Sequence, residues 1–116
     1  MKRPELVCPA GTPAMLRAAV DAGADAVYCG FQNATNARNF TGLNFTSEEL
    51  HSSVAYAHAH GAKVLLALNS FASAGRFPLW KEAADCGARI GVDAFIVADI
   101  GVAAYIAHHH PHCRLD

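Results

Sequence analysis

Charge is scarce in this 116-residue chain, cysteine follows no pattern, and no apolar run approaches the length of a membrane span. Charged residues make up 16% against 53% hydrophobic, so an unusually large share of the chain is expected inside a core or against a partner. The net charge of -1 supplies no basic field to hold a phosphate backbone, and nucleic acid is not expected to bind this segment alone. Cys8, Cys29, Cys86 and Cys113 show no short repeated spacing, which speaks against a zinc ribbon and a secreted disulfide framework; reduced thiols are expected. Pro4-Glu5 follows Met1-Lys2-Arg3 where a signal peptide would turn apolar, so the expected location is the cytoplasm. No Ser or Cys sits in a nucleophile elbow or beside a base in a triad arrangement, which argues against proteolysis.

What the chain does have is a strand and a helix alternating four times. Glu5-Leu6-Val7-Cys8 reads as a short strand stopped by Pro9-Ala10-Gly11, after which Thr12 offers an N-cap and Pro13 a first helical residue. The helix carries Met15, Leu16, Ala19 and Val20, and Gly23 fits its C-terminal end. A second strand, Ala26 to Cys29, opens into a long loop closed by Thr46-Ser47-Glu48-Glu49, a capping box that starts a helix through Leu50, Val54, Ala57 and His58. Lys63 to Leu68 is a continuous apolar run, the pattern of a parallel strand with helices over both faces. A helix from about Phe77 to Ala88, a fourth strand from Ala94 to Ala98 and a helix from about Gly101 to His110 follow, and Cys113-Arg114-Leu115 could begin a fifth strand.

One internal echo organises these pieces. Asp21-Ala22-Gly23-Ala24-Asp25-Ala26-Val27 recurs in outline as Ile90-Gly91-Val92-Asp93-Ala94-Phe95, each a helix-to-strand turn in which Gly closes the helix and Asp can accept backbone N–H groups. Successive βα units with right-handed crossovers build a parallel sheet, finished as a doubly wound sheet or as an eight-stranded barrel. The glycine-rich dinucleotide fingerprint is missing after the first strand, which weakens the first option. The expected fold is α/β, four βα units with a parallel sheet resembling the N-terminal half of a TIM-like barrel, with residues 1–116 as a single partial barrel domain.

Barrels carry their sites on the loops after the strands and their stability on the opposite face, which ranks the polar residues. The loop from Gly30 to Phe45 holds Asn33, Thr35, Asn36, Arg38, Asn39, Thr41 and Asn44, interleaved with Phe31, Phe40 and Phe45, and has no acidic residue. Its length suits a binding element, and the phenylalanines suit anchoring. Arg38 either forks onto a carboxylate ligand or pairs with a distant surface carboxylate. Asn36, Asn39 and Asn44 can hydrogen-bond carbonyl or hydroxyl groups beside it, and Asn69 and Asp99 follow the third and fourth strands; Asp99 could instead cap the next helix. Arg38, Asn36, Asn39, Asn44, Asn69 and Asp99 are therefore the candidate substrate-binding residues. Asp25 and Asp93 precede strands and belong to the stability face. His51, His58 and His60 are expected on a helix surface. The run His108-His109-His110-Pro111-His112 reads as a helix C-terminus in contact with the negative dipole end, since adjacent helical histidines point apart and do not chelate together. Cys8 and Cys29 end neighbouring strands and are expected to serve as small buried hydrophobes.

Leu6-Val7-Cys8-Pro9-Ala10-Gly11, Gly23-Ala24-Asp25-Ala26-Val27-Tyr28-Cys29-Gly30, Thr35-Asn36-Ala37-Arg38-Asn39-Phe40 and Gly42-Leu43-Asn44-Phe45-Thr46 together resemble the N-terminus of the collagenase-like peptidase family, in particular its ubiquinone-biosynthesis branch. The resemblance runs to about Pro111. It implies a TIM-barrel-like domain and a 4Fe-4S cluster on four cysteines that lie downstream of this segment. It implies also a heterodimer with a sister protein of the same family, and oxygen-independent hydroxylation with prephenate as oxygen donor; related members hydroxylate RNA. Full-length members are far longer, so this chain corresponds to an N-terminal fragment. None of Cys8, Cys29, Cys86 or Cys113 inherits a ligand role, and the fragment alone is expected to carry no cluster. Two roles stay open: part of an enzyme whose loop face holds a carboxylate substrate, or a scaffold that offers a partner surface while chemistry happens elsewhere.

Overall fold

The computed structural model describes residues 4–33, 35–36, 44–72 and 75–116. Their order is β1 (Val7–Pro9), α1 (Pro13–Asp21), β2 (Ala26–Cys29), α2 (Ser47–Ala59), β3 (Lys63–Leu68), α3 (Phe77–Ile90), β4 (Ala94–Val97), α4 (Ile100–His109) and β5 (Arg114–Leu115). The sheet is parallel throughout and its strands lie side by side in chain order, β1-β2-β3-β4-β5. A doubly wound sheet would reverse direction after its first half; an unreversed order with right-handed crossovers puts all the helices on one side, which is barrel winding.

Local chemistry starts the helices where the sequence predicts. Thr12 Oγ1 accepts the Met15 N–H at 3.1 Å, and the Thr46 box is complete: Thr46 Oγ1 accepts from Glu49 N–H at 3.1 Å while Glu49 Oε1 accepts from Thr46 N–H at 2.9 Å. The echoed turns fold alike. Gly23 and Gly91 take φ of 101° and 102°, the left-handed region open to glycine. Asp25 Oδ2 then accepts the Leu6 N–H at 2.8 Å, and Asp93 Oδ2 accepts the Val64 N–H at 2.7 Å. In both units the aspartate ahead of one strand ties down the start of its neighbour. This also explains why β1 begins at Val7 and not at Glu5: the Leu6 N–H is spent on Asp25 and its carbonyl on the Asp25 and Ala26 N–H groups.

The main core lies between sheet and helices. Val27, Val64, Leu66, Leu68 and Phe95 meet Leu16 and Val20 of α1, Leu50, Val54 and Ala57 of α2, Trp80, Ala83 and Ala84 of α3, and Val102 and Ile106 of α4. Each large side chain fully removed from water here stabilises the fold by about 1.5–3 kcal/mol. Trp80 is 2% exposed, and its indole N–H donates to the Ser70 carbonyl at 3.2 Å, fixing α3 against the end of β3.

The expectation that helices cover both faces of β3 is corrected here. The register sets Tyr28 beside Leu65 and Leu65 beside Ala94, and Ala26, Leu65 and Ala94 with Tyr28 and Ile96 packed against them form a separate, smaller apolar cluster on the face away from the helices. Leu65 and Ala67 are buried all the same, as side chains facing a barrel interior are. A continuous apolar run does not distinguish a helix from a barrel lumen as its second cover. At the sheet margins, β1 pairs with β2 and β5 with β4, and Leu6 and Val7 are both 44% exposed. No helix of the described residues is long and apolar enough to cross a membrane.

Candidate functional site

A cavity of about 320 Å³ opens at the C-terminal ends of β1, β2 and β3. Its floor is strand and its wall is loop. Tyr28, Cys29 and Ala67 come from the sheet, Pro9, Ala10 and Gly11 from the end of β1 and the loop after it, Gly30 from the end of β2, and Asn36, Asn44 and Asn69 from the β2–α2 and β3–α3 loops. Three of the six candidate residues therefore converge on one space. Arg38 and Asn39 lie outside the described residues.

The loop is built from both ends inwards. Phe31 and Phe45 form a short parallel bridge: the Phe45 N–H donates to the Gly30 carbonyl at 3.0 Å and the Gln32 N–H to the Phe45 carbonyl at 3.0 Å. Both rings are buried, at 6% and 0% exposed, so they anchor the loop as expected of aromatics in a polar segment. Phe40 lies outside the described residues. The Asn33 side-chain oxygen accepts from the N–H and the hydroxyl of Thr35, turning the chain back so that the Asn36 N–H reaches the Asn33 carbonyl at 3.2 Å. Asn36 is 6% exposed, and its carboxamide donates to the Phe31 carbonyl at 3.4 Å. Asn44 is 7% exposed with φ of 77°, a left-handed conformation that Asn tolerates better than most residues, and its N–H donates to the Gly11 carbonyl. The β1–α1 and β2–α2 loops are thereby tied together over the strand ends.

Asp99 plays a different part. Its carboxylate accepts from Gly101 N–H at 2.8 Å and Val102 N–H at 3.2 Å, capping α4, and from Ala72 N–H at 3.1 Å in the preceding loop. The bonds from Val102 and Ala72 hold its carboxyl below the usual range, against an opposing effect of burial. The aspartate thus joins two loops at the C-terminal end of the sheet and does not line the cavity around the asparagines.

The cysteines and histidines are accounted for by packing and pairing. Cys29 is buried beside Val27 and Leu66, its thiol points to the Leu65 carbonyl at 3.9 Å, and burial pushes it up to about 12. Cys8 packs against the same helix-side core, and all four cysteines are free. Among the described residues no three His, Cys, Asp or Glu side chains are grouped so as to hold a metal ion. The thiols, spread over β1, β2, α3 and the turn before β5, do not fit the four-thiolate cage of an iron-sulfur cluster, and no chemical step is assigned to such a group here. His58 Nε2 pairs with Asp93 at 2.8 Å, and His110 Nε2 pairs with Asp85 at 2.7 Å, where the Tyr105 hydroxyl also donates at 2.9 Å. His109 packs against Tyr105 with ring centres 4.3 Å apart and planes tilted by 34°. Burial acts upward on the Asp85 carboxyl, but the bonds from His110 and Tyr105 outweigh it and hold it below its ordinary value.

Sequence reasoning passed over Tyr28, Gly30 and the Pro9-Ala10-Gly11 segment as cavity residues. The available signal was their place directly at strand C-termini, which in a barrel faces the site. A second groove of about 390 Å³ lies on the helix side, between the Phe31–Asn33 segment and α3, and none of the described candidates lines it.

The model of peptidase family U32 matches residues 11–116. A tRNA hydroxylation protein P from Helicobacter pylori is 40% identical over 114 residues, covering 96% of this chain and 27% of that protein. An uncharacterized protease from Methanocaldococcus jannaschii is 39% identical over 97 residues, covering 84% of this chain and 23% of its own length. This chain thus spans about a quarter of these curated relatives. Among solved structures, DHDPS from Cyanidioschyzon merolae superposes with a TM-score of 0.60 at 14% identity, over 96% of this chain and 44% of that one, a likeness of TIM-barrel fold alone. With its winding, its loop-end cavity and a family match over nearly its whole length, the chain belongs to peptidase family U32, the collagenase-like family.

Proposed function

We propose that this chain is the N-terminal segment, a single partial barrel domain, of a U32-family hydroxylation protein, and that the cavity at the C-terminal ends of β1, β2 and β3 receives the ring that is hydroxylated. The observation that carries this reading is the convergence of Asn36, Asn44 and Asn69 on that cavity, over a floor of Tyr28 and Ala67. Amides placed over an apolar floor bind and orient a flat ring, and the Phe31–Phe45 bridge holds together the two ends of the loop that carries Asn36 and Asn44. Proteolysis is the weaker reading. A cysteine nucleophile works as thiolate, and the thiol at the cavity, Cys29, is held protonated by burial.

The finer reading is oxygen-independent hydroxylation in ubiquinone biosynthesis, as in the ubiquinone biosynthesis protein UbiU. It is supported by the Thr35-Asn36-Ala37-Arg38 and Gly42-Leu43-Asn44-Phe45-Thr46 blocks, and by a net charge of -1 that gives this segment no footing for RNA. On this reading Arg38 and Asn39 hold a dicarboxylate oxygen donor such as prephenate, and Asp99 orders the neighbouring loop. A 4Fe-4S cluster on downstream cysteines and a sister protein of the same family complete the active unit. The alternative favoured by the named relatives is hydroxylation of an RNA base. Deleting the gene and growing cells without oxygen separates the two. Loss of ubiquinone with unchanged hydroxylated tRNA nucleosides supports the quinone reading, and the reverse pattern refutes it. Calorimetry of prephenate against the full-length wild type, Arg38→Lys and Arg38→Ala tests the donor site, because a bidentate fork is lost in both variants. Equal affinities for all three would remove Arg38 from it.

A further inference from the structure

The missing Cβ at Gly30 is occupied by another residue. A side chain there would place its first carbon 2.5 Å from Asn36 Nδ2 and 2.6 Å from Asn36 Cγ, well inside any real contact. The Asn36 carboxamide thus fills the space beside Gly30 that a side chain would take, at the end of β2, and its N–H donates to the carbonyl of the next residue, Phe31. It is 94% buried if its 6% exposure is set against the whole side chain and backbone, yet it lines the cavity together with Gly30. A buried carboxamide is costly to desolvate unless its position is used or compensated, and here a glycine and a backbone carbonyl are both arranged to hold it in one orientation.

Resting on the site reading given above, we infer that Asn36 is the specificity-determining wall of the cavity, positioned by Gly30, and that it selects a flat, uncharged ring bearing a hydrogen-bonding oxygen. The cavity contributes no charged side chain among its described lining residues, so an ionised ring substituent would be desolvated without a counter-charge at this wall. Asn, unlike Ser or Thr, offers donor and acceptor in one rigid plane, the geometry that meets the edge of a phenol or of a pyrimidine. At about 320 Å³ the space lies at the small end of ligand cavities, which suits a single ring. Gly30 lines the same cavity but bears no side chain, and its part in selection is exerted through Asn36; it is a positioning residue.

The test uses the full-length protein, with p-cresol and uridine as probes and ligand-detected NMR as readout. Asn36→Ala is expected to weaken binding of the preferred probe about tenfold, the loss of one well-placed hydrogen bond. Gly30→Ala, which pushes the carboxamide off its seat, is expected to weaken it similarly. In Gly30→Ala/Asn36→Ala the clash is gone, and binding is expected to match Asn36→Ala alone. Thermal melts accompany each variant, and Asn36→Ala creates no clash, so it decides the matter even where Gly30→Ala fails to fold. Preference for p-cresol assigns the ring to a phenol, and preference for uridine assigns it to a nucleobase. Unchanged affinity in Asn36→Ala, or independent multiplying losses in the double variant, overturns the assignment to Asn36 while leaving the cavity as the site. A wild type that binds neither probe overturns the site reading and this assignment with it.

Discussion

Replacing Gly87 with alanine sets two known effects against each other. Gly87 sits in the middle of α3, where alanine would favour the helix by about 1 kcal/mol. Its Cβ, however, would lie 2.6 Å from Leu66 Cδ2 and 3.0 Å from Phe95 Cε1, where ordinary carbon contacts begin at about 3.5 Å. Leu66 and Phe95 are both fully buried between β3, β4 and the helices, so neither can swing into solvent to make room. Overpacking of this kind costs roughly 1–3 kcal/mol. The steric effect wins, and the variant should be less stable by about 1 kcal/mol. Hydrogen exchange of α3 amides in the full-length protein, read by mass spectrometry, should speed up about fivefold. Leu66→Val removes the offending methyl at a cost of its own of about 0.8 kcal/mol per methylene. The double variant should then lose less than the two single losses added together. A Gly87→Ala protein whose α3 amides exchange more slowly than wild type, or a double variant additive within about 0.3 kcal/mol, would refute the close helix–sheet approach.

Cys29, with its thiol near 12, should remain unmodified by iodoacetamide at pH 8 in the native protein, since only about one thiol in ten thousand is ionised there, while the half-buried Cys8 and Cys86 react before it; peptide mass mapping gives the order. Asp99 has a carboxyl lowered by its backbone bonds, so the stability it lends is fully present above the ordinary carboxylate pKa of about 3.9 and is lost as pH falls through the lower folded value. Acid titration of circular dichroism should show this loss below about pH 4 and not between pH 5 and 8, and Asp99→Asn should flatten that acid limb; an unaltered limb would remove Asp99 from it. The isolated 116-residue chain, with β1 and β5 at open margins and Leu6 and Val7 exposed, should self-associate in size-exclusion chromatography with light scattering. A sharply monomeric, cooperatively melting chain would contradict that.

Local rules account for what was legible in the sequence. Thr12, Thr46 and Glu49 act within one helical turn, and Gly23-Ala24-Asp25 and Gly91-Val92-Asp93 act within one corner, so their patterns survive without knowledge of the rest. Arg114 and Leu115 form the fifth strand that their position suggests. The parallel sheet followed from repetition, and its barrel sense from the missing dinucleotide fingerprint. The lumen-facing neighbours of Leu65 did not, because an apolar run records that a residue is covered and not by what. The site divides in the same way. Asn36, Asn44 and Asn69 were recognisable from their place after strands, but the space that Gly30 leaves for Asn36 depends on a loop turning back across six residues. The pairing of Asp85 with Tyr105 and His110 bridges α3 and the end of α4 and has no counterpart in any short motif.

Asp93 receives the Val64 N–H and His58 at once, so a single carboxylate at the N-terminal end of the sheet holds α2, β3 and β4 in mutual alignment. Asp25 does the corresponding work for β1 and β2. Both clamps sit at the opposite pole from the asparagine-lined cavity. Changes to the polar side chains over the cavity therefore leave these N-terminal bonds in place, so one pole is open to rewriting while the other keeps the strands aligned. A scaffold divided this way lets a lineage exchange the molecule it acts upon without having to rediscover how to fold.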